Sequence, residues 1–299
     1  MVALVLVALL GCGVVALGLK HDSKVSRLSR QMSSVQQQNS QLQQRITEAE
    51  NKTKQLESSN QALTEENKRL ESENASIKAM KQQRLTNSPN EKICYLTFDD
   101  GPSANTLEIL KILKSENAKA TFFVIARSRT EYIKNIADEG HALAIHSYTH
   151  DYGTIYKSEQ AYFNDLYKMQ ALIKEKTGKT VQLMRFPGGS SNTVSAKYCK
   201  GIMSKLTKQV QTKGFNYFDW NVDSGDAKAN NVPAAKLVAN VLRESNGVKN
   251  ICILMHDAPA KKTTVQALPT IIKELRNRGY KFEALSAAAP SFHHSHVYN

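Results

Sequence analysis

From Ile93 onward, short apolar runs alternate with longer amphipathic ones, and this order constrains the fold more than any other feature. "ICYLTF", "KATFFVI", "HALAI", "VQLMRF", "FNYFDWNV", "ICILMH" and "YKFEAL" have strand length and are rich in β-branched and aromatic residues. Between most of them lie segments with helical spacing, at 106–115, 158–176, 196–213 and 265–278. Repeated strand-then-helix order predicts parallel strands, in an open sheet or a barrel, because each helix carries the chain back to the edge where the next strand begins. About two hundred residues are ample for one buried core of this α/β class.

The polar residues then show a pattern. Asp99 and Asp100 end the first run, His146 the third and Arg185 the fourth; Asp223 and Asp226 follow the fifth; His256 and Asp257 end the sixth. In parallel α/β architectures the C-terminal strand ends meet on one face, where sites are built. Adjacent carboxylates raise each other's pKa unless a cation or a hydrogen-bond donor divides them. "HSYTH" sets His146 and His150 four apart, on one face if the segment turns helically after its strand. Two imidazoles and one carboxylate make a three-ligand divalent site suited to zinc or a similar first-row ion, such as cobalt, nickel or manganese. One aspartate would bind the ion and the other would hold a water there and take its proton. Singly, each residue has a plainer explanation: Asp99 and Asp100 before Gly101 and Pro102 end a strand and cap a helix, and a lone His146 is a satisfied core histidine. Jointly, that explanation must place all of them at strand ends by accident.

"TFDDGP", "HSYTH", "RFPGG", "DWNVDSGDA" and "LMH", in this order, resemble the five motifs of the polysaccharide deacetylases, the NodB-homology or carbohydrate esterase family 4 enzymes. The resemblance spans roughly residues 93–285. It implies a distorted (β/α) barrel of seven or eight strands and a metal-dependent N-deacetylase of glycans containing N-acetylglucosamine. By motif position it makes Asp99 the base, Asp100, His146 and His150 the metal ligands, and His256 the acid that protonates the leaving amine. Arg185 would orient Asp99, Asp226 would pair with His256, and the Gly188 N–H would stabilise the oxyanion. Leu254 would line the acetyl pocket, with Pro187 and Asp223 also on the substrate side. Two positions depart from the family pattern: Ala227 stands where a Trp often follows the second Asp of the fourth motif, and Gly188 where many members have Tyr. Altered substrate fit is expected from these, not lost activity.

Upstream, a seven-residue register runs from Val25. Leu28, Val35, Leu42, Ala49, Leu56, Leu63, Leu70 and Ile77 fall at d; Val25, Met32, Asn39, Ile46, Thr53, Asn60, Asn67 and Asn74 fall at a. Apolar d positions with repeated Asn at a predict a parallel two-stranded coiled coil, since paired buried amides fix register and disfavour larger assemblies. Over residues 25–80 such a stalk reaches roughly 80 Å. "KQQRLTNSPNEK" then breaks the pattern.

Residues 1–19 carry no charged side chain, long enough for a membrane-spanning helix. "LLGC" resembles a lipoprotein signal box, but Leu10 fits it poorly and apolar residues continue past Cys12; Lys20, Lys24, Arg27 and Arg30 follow the span, against the positive-inside rule for an outward-facing domain. The expected organisation is thus an anchor (1–20), a stalk (21–82), a linker (83–92), a catalytic domain (93–290) and a tail (291–299) expected to fray. Four cysteines show no CxxC spacing, and Cys94 and Cys252 read as small buried hydrophobes.

The formal charge of +13 favours polyanionic surroundings but brings no nucleic-acid-binding motif. The expected protein is a single-pass, dimeric cell-membrane deacetylase, its catalytic domain outside the cell, acting on peptidoglycan. Chitin-type oligomers, poly-N-acetylglucosamine, or a non-catalytic glycan-binding role are the alternatives. His141 and Trp220 are expected to be structural.

Overall fold

A computed structural model describes the backbone of residues 2–87, 91–127 and 129–299, and side chains for 24–79, 91–127 and 129–299. The chain forms two units, Met1–Ala75 and Ser76–Asn299.

The first unit is built on one helix, α1 (Val2–Asn87). No Gly or Pro interrupts residues 20–87, and Thr47, Thr53 and Thr64 return their hydroxyls to carbonyls four residues back. Leu28, Leu56 and Leu63 are 53%, 57% and 61% exposed, so from Val25 to Leu63 the heptad stripe is uncovered among the described residues. The helix continues past the break expected at Lys81, because residues 81–86 have ordinary helix propensity and the first proline is Pro89. The expected membrane span, residues 1–19, and the 88–90 part of the linker lie outside the described side chains. Among the described residues no helix is long and apolar enough to cross a membrane.

The second unit carries eight strands: β1 (Lys92–Asp99), β2 (Ala120–Ile125), β3 (Ala142–Ser147), β4 (Leu183–Met184), β5 (Asn216–Tyr217), β6 (Val222–Asp223), β7 (Asn250–His256) and β8 (Tyr280–Phe282). Its helices are α2 (Ala104–Ser115), α3 (Ile133–Asp138), α4 (Tyr152–Ile155), α5 (Glu159–Thr177), α6 (Ile202–Thr212), α7 (Ala234–Glu244) and α8 (Lys262–Asn277). Every ladder is parallel. The sheet runs β5-β4-β3-β2-β1-β7-β6, with β8 against β1, and forms a curled half-barrel.

The period-2 alternation of the strands sorts their side chains. Cys94, Leu96 and Phe98 of β1, Phe122 and Val124 of β2, and Leu143 and Ile145 of β3 belong to the large core cluster, to which the helices also contribute. Ile93, Tyr95, Phe123, Ala144 and Cys252 belong to a second cluster on the opposite sheet face, the lumen, closed at the bottom by Leu285, Ala289 and Phe292. The same parity carries Asp99, His146 and His256 onto the lumen side at the strand tops. Cys94 and Cys252 are buried, free and in different clusters.

The expected distorted barrel takes the form of this curled half-barrel, with no ladder joining β5 to β6 among the described residues. Only residues 218–221 separate them, too few for a crossover helix. The chain instead spans the gap between the two sheet edges, with Phe218 N–H bonded to Met184 O and Asn221 N–H to Cys252 O. This step also shortens the fourth and fifth expected strands to two residues or split pairs. The segment 196–213 begins in a short 3-10 turn (Val194–Lys197) and is α-helical only from Ile202, where Gly201 at φ 76° starts α6. Helices α3 and α7 were not foreseen. Nor does the tail fray: Phe292 is buried, and Asn299 bonds to Gly201 and Ser204.

Candidate active site

At the top of β1, Asp99 is buried and points at Arg185, which is wholly buried. Arg185 Nη1 donates to Asp99 Oδ1 at 2.8 Å and to Thr97 Oγ1 at 2.8 Å; Nε donates to Phe218 O and Nη2 to Asp219 O, each at 2.9 Å. The guanidinium also lies 4.1 Å over the Phe123 ring. Its donors are therefore used both to hold the carboxylate and to bridge the gap the sheet leaves open. Burial pushes the Asp99 carboxyl above the usual carboxylate range, with the charges of Arg185 and His256 opposing.

His146 comes from β3. Its Nδ1 bonds to Arg185 O at 2.9 Å, which makes Nδ1 the protonated nitrogen and leaves Nε2 a free lone pair. Nε2 lies 3.5 Å from Asp100 Oδ1 and 3.9 Å from Asp99 Oδ2. His150 does not come from a helical turn, as the sequence suggested. It sits at φ 51° in a tight turn built by Asp165. The Asp165 carboxylate accepts from Ser147 Oγ, Tyr148 N, Thr149 N and Thr149 Oγ1 at 2.7–2.9 Å, and Ser147 Oγ in turn accepts from His150 N. The turn brings His150 Nε2 to 3.2 Å from Asp100 Oδ1.

Asp100, His146 and His150 thus offer ligand atoms within 4.8 Å of one another. Asp100 Oδ1 is buried without a hydrogen-bond partner, and burial lowers the His146 pKa to about 3, against the pull of Asp100. A carboxylate oxygen without a hydrogen-bond partner, facing two imidazole nitrogens, fits a divalent cation.

Beside this cluster, on the neighbouring strand, stands a histidine of opposite character. His256 is the ladder partner of Asp99. Its Nδ1 is 2.8 Å from Asp226 Oδ1, and its backbone N–H donates to Asp226 Oδ2, which also accepts from Thr264 Oγ1. Lys261 Nζ ties down Asp226 O. Burial works to lower the His256 pKa, but the hydrogen bond and charge of Asp226, with Asp99 and Asp100 beyond, push it up to about 9. The same bond holds Asp226 below its ordinary value although burial opposes this.

The "RFPGG" loop brings Gly188 and Gly189 in at φ 79° and 78°, a conformation that favours glycine. A Cβ on Gly188 would meet the Tyr152 hydroxyl at 2.6 Å, so the phenol from α4 occupies the space a side chain at 188 would need. Burial, with Asp100 and Asp99 nearby, raises the Tyr152 pKa to about 12, leaving it a donor. Pro187 O accepts from Tyr156 Oη, and Leu254 is buried on β7. Asp223, paired with Leu254 across β6 and β7, accepts from Gly225 N at Oδ1, 2.7 Å, and shapes the turn that presents Asp226. His141 is structural, accepting from Ala120 N, and Trp220 is half-buried with its edge on His294.

Sequence reasoning missed Asp165, Asp219, Tyr152, Thr264 and the supporting role of Asp257. Asp257 packs under Gly101, where any Cβ would overlap its carboxylate; burial raises its pKa to about 7. Only its place after "LMH" hinted at this, and the others sit within helix or loop segments with no local signal.

A family model described as polysaccharide deacetylase matches residues 86–203. A peptidoglycan-N-acetylglucosamine deacetylase of Bacillus cereus is 38% identical over 205 residues, covering 66% of this chain and 71% of that protein. The putative polysaccharide deacetylase YheN of Bacillus subtilis is 34% identical, covering 69% and 71%. Among solved structures, the catalytic domain of a peptidoglycan N-acetylglucosamine deacetylase from Eubacterium rectale superposes with TM-score 0.68 at 44% identity, covering 71% of this chain and 96% of that one.

Proposed function

Since this chain belongs to the polysaccharide deacetylase family, we propose that it removes acetate from N-acetylglucosamine residues of peptidoglycan, using the lumen-top cluster as its active site. The observation that carries this reading is the split use of Asp99: Oδ1 is pinned by Arg185 at 2.8 Å while Oδ2 faces the His146 side at 3.9 Å. One oxygen is fixed and the other is free to take a proton.

Asp100, His146 and His150 would hold the divalent ion, zinc by preference for this donor set. When bound, the ion supplies Lewis acidity, which acidifies water and polarises the acetyl carbonyl. Asp99 Oδ2 accepts the proton of the attacking water. The Gly188 N–H and the Tyr152 hydroxyl are the protein donors beside the developing oxyanion. His256, kept cationic by Asp226, gives its Nε2 proton to the leaving amine, which otherwise departs as an unstable anion. Leu254 and Pro187 shape the acetyl side of the site.

Residues 1–19 would anchor the chain as a single membrane pass, with the catalytic unit outside the cell. The exposed stripe of Val25, Leu28, Met32 and Val35, continued through Leu63, would pair with a second copy in parallel. Tethering raises the effective concentration of the catalytic unit at an insoluble wall polymer.

Acetate release by the purified protein, from peptidoglycan and from chitin oligomers, with added metal and after chelation, tests the reading. Preference for chitin oligomers would reassign the substrate. Glycan binding with metal present and no acetate from any substrate would leave a binding protein.

A further inference from the structure

Residues 292–299 run from Asp219 and Ser191 at one end to Ser195, Gly201 and Ser204 at the other. Phe292 O accepts from Asp219 N at 2.6 Å, and the His293 ring stacks on Tyr217 at 3.8 Å with Nε2 3.0 Å from Tyr217 O. His294 N donates to Asp219 Oδ2 at 2.9 Å, and its Nδ1 lies 2.7 Å from Ser191 Oγ. At the far end Asn299 accepts from Gly201 N and Ser204 N, each at 2.6 Å, and donates to Ser195 Oγ at 2.8 Å.

Asp219 is the hub of this arrangement. Wholly buried, its carboxylate accepts from Ser190 N at 2.8 Å and Ser190 Oγ at 2.5 Å as well as from His294, and its carbonyl accepts from Arg185 Nη2. The loop so clamped contains two successive glycines at positive φ, the sequence least able to hold one conformation unaided. Gly189 has room for no side chain because Trp220 and His294 close on it.

We propose that residues 292–299 are a positioning strap. They fix the Pro187–Ser191 loop and, through Asp219, the guanidinium that holds Asp99. The strap's described bonds reach none of the proposed metal ligands; it meets the loop through Ser191 and, by way of Asp219, Ser190. The inference rests on the deacetylase reading for its effect on rate, but not for its effect on the loop.

The experiment compares the full chain with a chain stopped after Ser291, with His294→Ala, and with His294→Asn, whose amide can reproduce the Nδ1 contact to Ser191. Two readouts are taken: backbone amide exchange at residues 188–192, and kcat and KM for acetate release from an N-acetylglucosamine oligomer at matched metal content. Truncation should speed exchange at Ser190 by about tenfold or more, and lower kcat by about 10²-fold with KM little changed, as expected for misplaced catalytic groups. His294→Ala should lose about tenfold in kcat and His294→Asn should recover most of it. If truncation prevents folding, the His294 pair decides. Exchange and kcat unchanged in His294→Ala, or equal losses in His294→Ala and His294→Asn, would overturn the strap. A full chain that releases no acetate would sink the functional reading while the exchange data still judged the strap.

Discussion

His146 and His256 stand on β3 and β7, strands placed either side of the β1–β2 pair, and both are largely buried, yet they are driven in opposite directions. At His146 burial prevails over Asp100 and lowers the pKa to about 3; at His256 a 2.8 Å bond to Asp226 overcomes burial and raises it to about 9. The difference lies in what the partner carboxylate is free to do. Asp226 has its other oxygen and its carbonyl engaged by His256 N, Thr264 and Lys261, so it is fixed against the imidazole. Asp100 leaves Oδ1 unbonded between two rings. One side suits a cation held between a carboxylate and imidazole nitrogens, the other a stored proton, and a single residue type serves both.

The contrast is most exposed to failure at the metal side. His150→Ala should lose the ion, measured by metal analysis, and reduce acetate release by about 10³-fold or more, since several kcal/mol of charge stabilisation go with it. Full metal content and rate would erase the distinction between the two regions. Asp99→Asn should keep the ion and lose about 10³-fold in kcat, because only the proton acceptor is removed; a rate loss traceable to lost metal would move Asp99 into the ligand set.

Asp226→Asn acts on the other side, with an expected loss of about 10²-fold near pH 8. In the wild type the acid form of His256 is present below about pH 9 and is lost as pH rises through that value. Without the Asp226 charge the folded pKa falls, so the alkaline limb of the pH–rate profile should move down toward the ordinary histidine range near 6.5. The sign extends to stability: the pair's contribution is complete below the unfolded pKa and disappears as pH rises through about 9. An alkaline limb that stays near 9 in Asp226→Asn would show that His256 is not the titrating acid. The smallest effect is expected for Thr264→Val, which removes one hydrogen bond to Asp226 Oδ2. A loss of about fivefold, with a slight downward shift of the same limb, follows from roughly 1 kcal/mol per bond.

Much of this was legible in the linear chain. The parity of "YLTFD", "ALAIH" and "ILMH" puts Asp99, His146 and His256 on one sheet face, and parallel order then gathers them at one end. The pairing of Asp226 with His256 and of Arg185 with Asp99 agrees with the residue-by-residue expectation. Less legible were features without a period. "HSYTH" has helical spacing, but Asp165, fifteen residues beyond His150 on α5, claims its backbone donors and winds it into a turn. The apolar run "FNYFDWNV" reads as one strand, but four of its residues span the gap between β5 and β6, where the sheet has no ladder. The tail looked free because its His, Ser and Asn residues carry no periodic signal, whereas their partners at 189–204 and Asp219 exist only in three dimensions.

The sequence by itself determined the parallel α/β order, the helix with its heptad stripe, and the residue types gathered at the strand ends, since all three depend on repeats of two, three and a half, or strand-plus-helix length along the chain. Tertiary structure alone decided which nitrogen of His146 stays open, why His256 remains charged, and what holds the glycine loop. Those outcomes follow from burial and from hydrogen bonds between residues far apart in the chain, and neither quantity is a property of any local stretch.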